Sequence, residues 1–120
     1  MHYKRVSEYQ LTDSVEGKTV LTKYFLVKSQ VKVFNGSEDI EVPSYGIEIS
    51  EEIFLNEMLI RKLVDRVMHV SPYMEKVEEL LRYFKDMSVS PLHLCDIIDD
   101  NYYKYVDDYD EYIKICKIAI

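Results

Sequence analysis

The alternation of hydrophobic and polar residues predicts a β-strand in the segment TVLTKYFLVKSQVKVF. The segment is rich in β-branched and aromatic side chains, which are enriched in strands. In its second half, Gln30, Lys32 and Phe34 alternate with Val31 and Val33. This period of two is typical of a strand with one buried face.

Two further strands are predicted around this one, over residues 2–12 and 40–49. Residues 13–18 contain a glycine and form a turn region, and Asn35-Gly36 is the strongest turn dipeptide in the chain. Pro43 interrupts the third strand. Because proline has no N–H group to donate to a ladder, it marks an edge, a bulge or a strand end.

Residues 51–69 fit two structures. Apolar residues at helical spacing, with Ser50 as a cap, favour a helix. Alternatively, Asn56-Glu57 turns the chain into a further strand that runs from residue 58 to residue 70. The pattern alone leaves both open. The apolar residues in question are Ile60, Leu63, Val64 and Val67.

The second half of the chain changes to a helical period. Ser71 can accept a hydrogen bond from an amide of the first turn, and Pro72 suits the first helical position. A helix over residues 72–87 is therefore predicted. Its buried face consists of Val77, Leu80, Leu81 and Phe84.

Ser90-Pro91 begins a second amphipathic segment, which reaches residue 117. When each residue is turned by 100°, two stripes separate on opposite sides of the helix. The apolar stripe holds Leu94, Ile98, Tyr102, Tyr105, Tyr109, Tyr112 and Cys116, and the acidic stripe holds Asp96, Asp99, Asp100, Tyr103, Asp107, Asp110 and Glu111.

A continuous helix over residues 91–117 would be about 40 Å long, whereas a domain of this size has a diameter of about 30 Å. The helix therefore either breaks, near residues 106–108, or overhangs and packs on a partner. With strands first and helices last, the order of elements predicts an α+β fold in a single domain of residues 1–120. It is an antiparallel sheet of three or four strands in residues 2–70, covered on one face by helices 72–87 and 91–117.

Composition places the chain among folded proteins without a membrane span. Hydrophobic residues make up 48% of the sequence, and no apolar run approaches 18 residues. The start MHYKRVSEYQ lacks the apolar region of a signal peptide. Cys95 and Cys116 are too few for a disulfide framework. We therefore expect a cytoplasmic protein with free thiols.

The net charge of −7 is concentrated in residues 71–111, which carry four basic and eleven acidic groups. Direct binding of duplex nucleic acid requires clustered lysine and arginine, so this balance argues against it. It suits a basic protein partner, although a charged stripe is also the ordinary solvated side of a helix.

The sequence contains no recognisable catalytic or cofactor-binding motif. Gly17, Gly36 and Gly46 are the only glycines, which argues against a glycine-rich phosphate loop. His93 and Cys95 would point in different directions on a helix and cannot share a metal. We expect no metal and no cofactor. The best acid–base pair is His93 with Asp96, three residues apart, and a small enzyme that uses this pair is the less favoured hypothesis.

We interpret the chain as a small regulatory or protein-interaction module with an acidic, tyrosine-rich helix. A variant of this hypothesis is a mimic of nucleic acid that binds a basic DNA-binding protein. The interaction surface that we predict is the acidic stripe, Asp96, Asp99, Asp100, Tyr103, Asp107, Asp110 and Glu111.

The apolar tail IKICKIAI must be covered, because an apolar tail in water favours aggregation. It either folds back on the sheet or pairs with a second copy, and we expect a homodimer. The contact would use Tyr109, Tyr112, Ile113 and Cys116, together with Ile118 or Ile120.

Three segments carry a resemblance to a known family: YGIEI at residues 45–49, VSPYMEKVEELL at 70–81 and VSPLHLCDIIDD at 89–100. They resemble a family of short bacterial proteins from Gram-positive anaerobes, a domain of unknown function, over residues 45–102. The resemblance implies a strand rather than a helix for residues 58–69. It implies no activity, cofactor or catalytic residue.

Overall fold

A four-stranded antiparallel sheet forms the first part of the molecule. The computed structural model describes residues 2–119, with side chains for residues 2–116. Consecutive strands are neighbours, so the order is β1-β2-β3-β4. The strands are β1 (Lys4–Val15), β2 (Lys18–Phe34), β3 (Asp39–Leu55) and β4 (Met58–Ser71).

The strand alternative for residues 51–69 is confirmed. β3 ends at Leu55, and Asn56-Glu57 turns the chain directly into β4 with φ values of 50° and 70°. Two successive positive φ angles define the tight hairpin turn that matches the twist of paired strands. Glutamate is an unusual residue there, which is why the sequence pattern did not distinguish this turn from a helix.

The helices follow the sheet, so the predicted α+β fold is confirmed. In α1 the buried residues are the four predicted ones, Val77, Leu80, Leu81 and Phe84. Single 3-10 turns precede α2 and follow it, at Pro91–His93 and Tyr102–Lys104. The helices are α1 (Met74–Asp86), α2 (Leu94–Asn101) and α3 (Asp108–Ala119).

The predicted helix over residues 91–117 is not continuous. A 3-10 turn and a non-helical stretch separate α2 from α3, somewhat earlier than the break expected near residues 106–108. The break resets the helical phase. Tyr102 was predicted on the apolar side but is 58% exposed, whereas Tyr105 is buried as predicted.

The main core lies between the middle of the sheet and the helices. Two residues from each central strand pack against α1 and α2. They are Tyr24 and Leu26 of β2 and Ile47 and Ile49 of β3. At Gly46 the adjacent strand β4 bulges, and a Cβ at this position would overlap the Val67 carbonyl oxygen. Only glycine permits this close approach of the two backbones.

The sheet is longer than the layer of helices that covers it. The molecule measures 59 × 25 × 20 Å. The last pair of β1 with β2 is Lys4 with Lys28, and the last pair of β4 with β3 is Ser71 with Tyr45. Beyond these pairs, β2 and β3 continue as a two-stranded arm, which we define as residues 29–44. The other end of the sheet carries exposed apolar side chains, including Val15, Met58 and Ile60.

Candidate interaction surface

The acidic helix surface, defined as the seven residues of the predicted acidic stripe, lies on α2, α3 and the segment between them. All seven side chains are exposed. The break between the helices means that they form two groups rather than one straight stripe. These residues are Asp96, Asp99 and Asp100 on α2, Tyr103 and Asp107 in the connection, and Asp110 and Glu111 on α3.

The orientation of α2 follows from its start and its apolar side. The Ser90 hydroxyl accepts a hydrogen bond from the Leu92 amide at 3.2 Å, and Pro91 follows as the first residue of the 3-10 turn. Leu94 and Ile98 are both buried against the core. Because these two residues face inward, the aspartates of α2 face solvent.

Asp108, at the first position of α3, fixes the second group. Its carboxylate is almost fully buried, accepts a hydrogen bond from the Ser71 hydroxyl at 2.7 Å and forms an ion pair with Lys76 at 2.9 Å. The Ser71 hydroxyl also accepts from the Tyr73 amide at 3.2 Å, near the start of α1. One carboxylate thus joins α3 to both β4 and α1.

A second polar connection ties α3 to the sheet. The buried Ser44 hydroxyl lies 2.6 Å from the Tyr109 hydroxyl and 2.7 Å from Nδ1 of His69. Burial lowers the pKa of His69 and raises the pKa of Tyr109. This row resembles a nucleophile beside a base, but Ser44 has no exposed surface for a substrate to reach. We therefore interpret it as a structural connection.

Among the side chains that the structure describes, those of residues 2–116, the aspartates of the acidic helix surface form no ion pair. Within the described residues, no ion pair or side-chain hydrogen bond involves the carboxylates of Asp96, Asp99, Asp100, Asp107 or Asp110. The other two residues of the acidic helix surface do have neighbours that they contact. The Tyr103 ring lies near the Lys104 ammonium group, and the Glu111 carboxylate accepts a hydrogen bond from the Tyr73 hydroxyl at 3.2 Å.

The pair considered for an enzyme is not assembled. His93 and Asp96 are both exposed, and no hydrogen bond joins them in the described structure. Burial and a hydrogen bond to Asp65 raise the pKa of Cys95, so this thiol is not activated as a thiolate. Within residues 2–119, no three His, Cys, Asp or Glu side chains are grouped as metal ligands.

A cleft of about 480 Å³ opens between α1 and the 3-10 turn that follows α2. Its wall includes Lys76, whose ammonium group is already held by Asp108. The lining mixes cationic, anionic and aromatic groups and therefore selects no single class of ligand. The residues are Lys76, Glu79, Leu80, Tyr83, Asn101, Lys104 and Tyr105.

The residues expected at a homodimer contact are only partly available. Ile113 is buried within its own chain, Tyr109 and Tyr112 are half-buried, and Cys116 is exposed. Ile120 and the side chain of Ile118 lie outside the described residues. The homodimer stays a prediction.

Sequence reasoning missed the buried group that holds the surface in place. Asp108 is one of several acids in DDYDE, and nothing in that local sequence sets it apart. Its distinguishing partners, Ser71 and Lys76, lie more than thirty residues earlier. The only available signal was its place at the helical break, where an acid can interact with the start of a helix.

Residues 3–104 match the model of a family described as a family of unknown function (DUF6514). No curated protein and no solved structure matches the chain. None of the helices within residues 2–119 has the length and apolar character needed to cross a membrane.

Proposed function

The chain belongs to this family of unknown function, and we propose that it is a small cytoplasmic interaction module of bacteria that docks a basic protein on the acidic helix surface. The observation that carries the proposal is a set of exposed aspartates that form no ion pair with any described side chain: Asp96, Asp99, Asp100, Asp107 and Asp110. Elsewhere in the fold, buried carboxylates are matched by cations, as Glu48 and Asp108 are.

Fixed orientation strengthens this proposal. Leu94 and Ile98 hold α2 in place, and Asp108 holds the start of α3. A binding surface on held helices loses less conformational entropy on association than the same charges on a mobile tail. The charges also steer a basic partner toward the surface, which raises the association rate most at low ionic strength.

A mimic of nucleic acid remains the alternative within the same class. The break between α2 and α3 splits the carboxylates into two groups, so they do not follow one continuous line as phosphates do. This weakens the mimicry variant but leaves a basic protein as the partner. A small enzyme is less favoured, because His93 and Asp96 are separate exposed side chains.

The test is capture of partners from a cytoplasmic extract by the purified chain and by a variant with Asp96→Asn, Asp99→Asn and Asp100→Asn. We expect a basic protein to be captured at about 0.15 M salt and largely lost at about 0.5 M, since screening shortens the reach of exposed charges. The triple variant should lose it at both concentrations while keeping the same melting temperature.

The matched control changes three exposed acids away from the helices, Asp13→Asn in β1 and Glu16→Gln and Glu38→Gln in the turns between strands, and so alters the net charge by the same amount. It should capture the partner as well as the unchanged chain does. Equal losses in both variants would mean that net charge, and not this surface, drives binding. A captured DNA-binding protein that competing duplex DNA displaces would favour the mimicry variant.

A further inference from the structure

The two-stranded arm has one edge whose direction can be read from the hairpin turns. The main-chain N–H of Asn56 donates to the main-chain carbonyl of Gly17 at 2.9 Å. The main-chain N–H of Asn35 donates to the main-chain carbonyl of Glu38 at 3.0 Å. Both bonds join directly opposite residues at the two ends of the β2–β3 ladder, whose register is unbroken between them. Opposite pairs in an antiparallel ladder alternate between bonded and non-bonded.

It follows that the odd-numbered residues of β2 bond to β3, whereas the even-numbered residues direct their N–H and C=O groups to the other side. Up to Lys28 that side is occupied by β1. Beyond Lys28, the main-chain groups of Gln30, Lys32 and Phe34 point to an open edge. Within residues 2–119, no hydrogen bond to these groups is present outside the strand ladders.

The other edge of the arm is less suited to pairing. On β3 the outward-directed residues are Asp39, Glu41 and Pro43, by the same alternation. Pro43 has no N–H group to donate, and α3 reaches the neighbouring Ser44 through Tyr109. Proline and a covering element are ordinary ways of protecting a sheet edge, and the β2 edge has neither beyond Lys28.

A cavity of about 620 Å³ lies at the point where β1 ends and the open edge begins. None of the described residues that line this cavity is acidic, although the net charge of the chain is −7. Ser29, which is 6% exposed, contributes a buried hydroxyl that has no hydrogen-bond partner in the described structure. The lining residues are His2, Tyr3, Lys4, Lys28, Ser29 and Gln30.

Lys4 and Lys28 are direct cross-strand partners. Like charges in that position repel each other, and an anion placed between or beside them would relieve the repulsion. Lys32 continues the cationic row along the same face of the arm. On the opposite face of β2, Val31 and Val33 are half-buried apolar side chains. The edge thus offers cations on one face and apolar contacts on the other.

We propose that this edge, from Ser29 to Phe34, binds an extended acidic peptide of a partner protein as an additional strand. Such strand addition uses main-chain hydrogen bonds for affinity and alternate side chains for specificity. Acidic side chains of the peptide face Lys28 and Lys32, and its intervening apolar side chains face Val31 and Val33. This site is separate from the acidic helix surface and takes a ligand of opposite charge.

A second copy of the chain is the less suitable occupant of this edge. Antiparallel pairing of two such edges would bring the lysines of one copy against those of the other. The lysines therefore oppose self-pairing and favour an acidic strand. The preference of this edge for an acidic strand is independent of what binds the acidic helix surface.

The test uses a capped synthetic peptide of alternating glutamate and valine, added to the isotopically labelled full chain. We expect amide shifts in residues 28–34 and slowed hydrogen exchange at Gln30, Lys32 and Phe34, whose N–H groups become bonded. A lysine–valine peptide of equal length is the charge control and should bind at least about tenfold more weakly. Equal binding of both peptides, or no shifts with either, would overturn the proposal.

Two proline variants show which edge of the arm binds the peptide. Gln30→Pro removes an outward N–H group on β2 and should weaken binding about tenfold, whereas Glu41→Pro makes the same change on the β3 edge and should not weaken it. If the two variants bind alike, the edge assignment is wrong. A peptide methylated at alternate amide nitrogens tests the same bonds without altering the protein. If inorganic phosphate alone reproduces the shifts, the cavity is a small-anion site and the proposal fails.

Discussion

The two faces of the sheet bury their residues by different means, although both faces are made from the same strands. On the face toward the helices, Tyr24 and Ile49 are buried in an apolar core. On the opposite face, Phe25 and Val27 are equally buried, but they do not belong to the core that packs against the helices. Adjacent residues in one strand thus depend on different interactions.

The helix-covered face is stabilised by packing with few polar groups. Val77, Leu81 and Phe84 of α1 have no exposed surface. Within the apolar cluster, the Tyr24 hydroxyl donates a hydrogen bond to the Val89 carbonyl at 2.9 Å. Burial there raises the pKa of Tyr24 to about 12, so the hydroxyl keeps its proton and remains a donor.

The opposite face is built around a charge. Glu48 is fully buried, and its two oxygens accept hydrogen bonds from the Nε groups of Arg5 at 2.7 Å and Arg66 at 2.9 Å. The Arg5 guanidinium lies 4.1 Å from the centre of the Phe25 ring, and that of Arg66 lies 4.5 Å from the Tyr3 ring. On this face, arginine side chains therefore cover the aromatic rings, whereas on the other face helices cover the strands.

The largest effect should come from the helix-covered face. Leu81→Ala leaves a cavity in a close-packed core and should lower the free energy of unfolding by about 2–5 kcal/mol. Urea unfolding followed by circular dichroism measures it. Leu92→Ala is the control, because Leu92 is 65% exposed and its truncation should change stability by no more than about 0.5 kcal/mol. Similar losses in both variants would contradict the assignment of the core.

On the opposite face, Glu48→Gln should have an intermediate effect of about 1–3 kcal/mol. The loss is smaller than for a fully buried pair, because Arg5 and Arg66 are partly exposed and can regain water. Denaturant midpoints at neutral pH measure it. Arg82→Gln, in the exposed helix pair with Glu78, is the control and should change little.

The variant Glu48→Gln should also change how the stability of the fold depends on pH. Burial alone would raise the pKa of Glu48, but hydrogen bonds from Arg5 and Arg66 and their charges outweigh it and hold the pKa below 4.5. A carboxylate with a depressed pKa stabilises the fold above its unfolded pKa, and this contribution is lost as the pH falls through the folded pKa. The unchanged chain should therefore lose more stability below about pH 4.5 than Glu48→Gln does. Parallel curves for both proteins would contradict the role given to Glu48.

The sequence predicts the helix-covered face far better than the opposite one. Val77, Leu80, Leu81 and Phe84 share a single helix, so their common face follows from spacing alone. Glu48 sits at a polar position of the alternating YGIEI, which reads as an exposed residue. Its burial depends on Arg5 and Arg66, and only the register of four strands brings those residues together.

The candidate surfaces show the same limit. The exposure of Asp96, Asp99 and Asp100 follows from one helical period, since all three lie on α2. Tyr102 was misplaced because the chain leaves the α-helix for a 3-10 turn at this residue, and the contact of Asp108 with Ser71 at the start of α3 is not contained in any local pattern. The open edge of β2 was equally hidden, since it depends on where β1 stops pairing and not on the sequence of β2 itself.

The smallest expected effect concerns the place where α3 reaches the face opposite the main core. Ser44 shares this face with Glu48 by strand alternation, and its hydroxyl lies between Tyr109 and His69. Burial lowers the pKa of His69 below 6.5, so the fold favours the neutral ring. A base with a depressed pKa stabilises the fold above its unfolded pKa, and this contribution is lost as the pH falls through the folded pKa.

We therefore expect stability to decline slightly as the pH falls below about 6.5, by less than about 1 kcal/mol, because His69 is exposed and solvent screens its charge. His69→Asn keeps a polar side chain that does not titrate, and it should remove this decline while leaving the acid transition of Glu48 in place. An NMR titration of the His69 ring checks the direction directly. A midpoint at or above 6.5, or an unchanged decline in the asparagine variant, would show that His69 does not couple α3 to the sheet in a pH-dependent way.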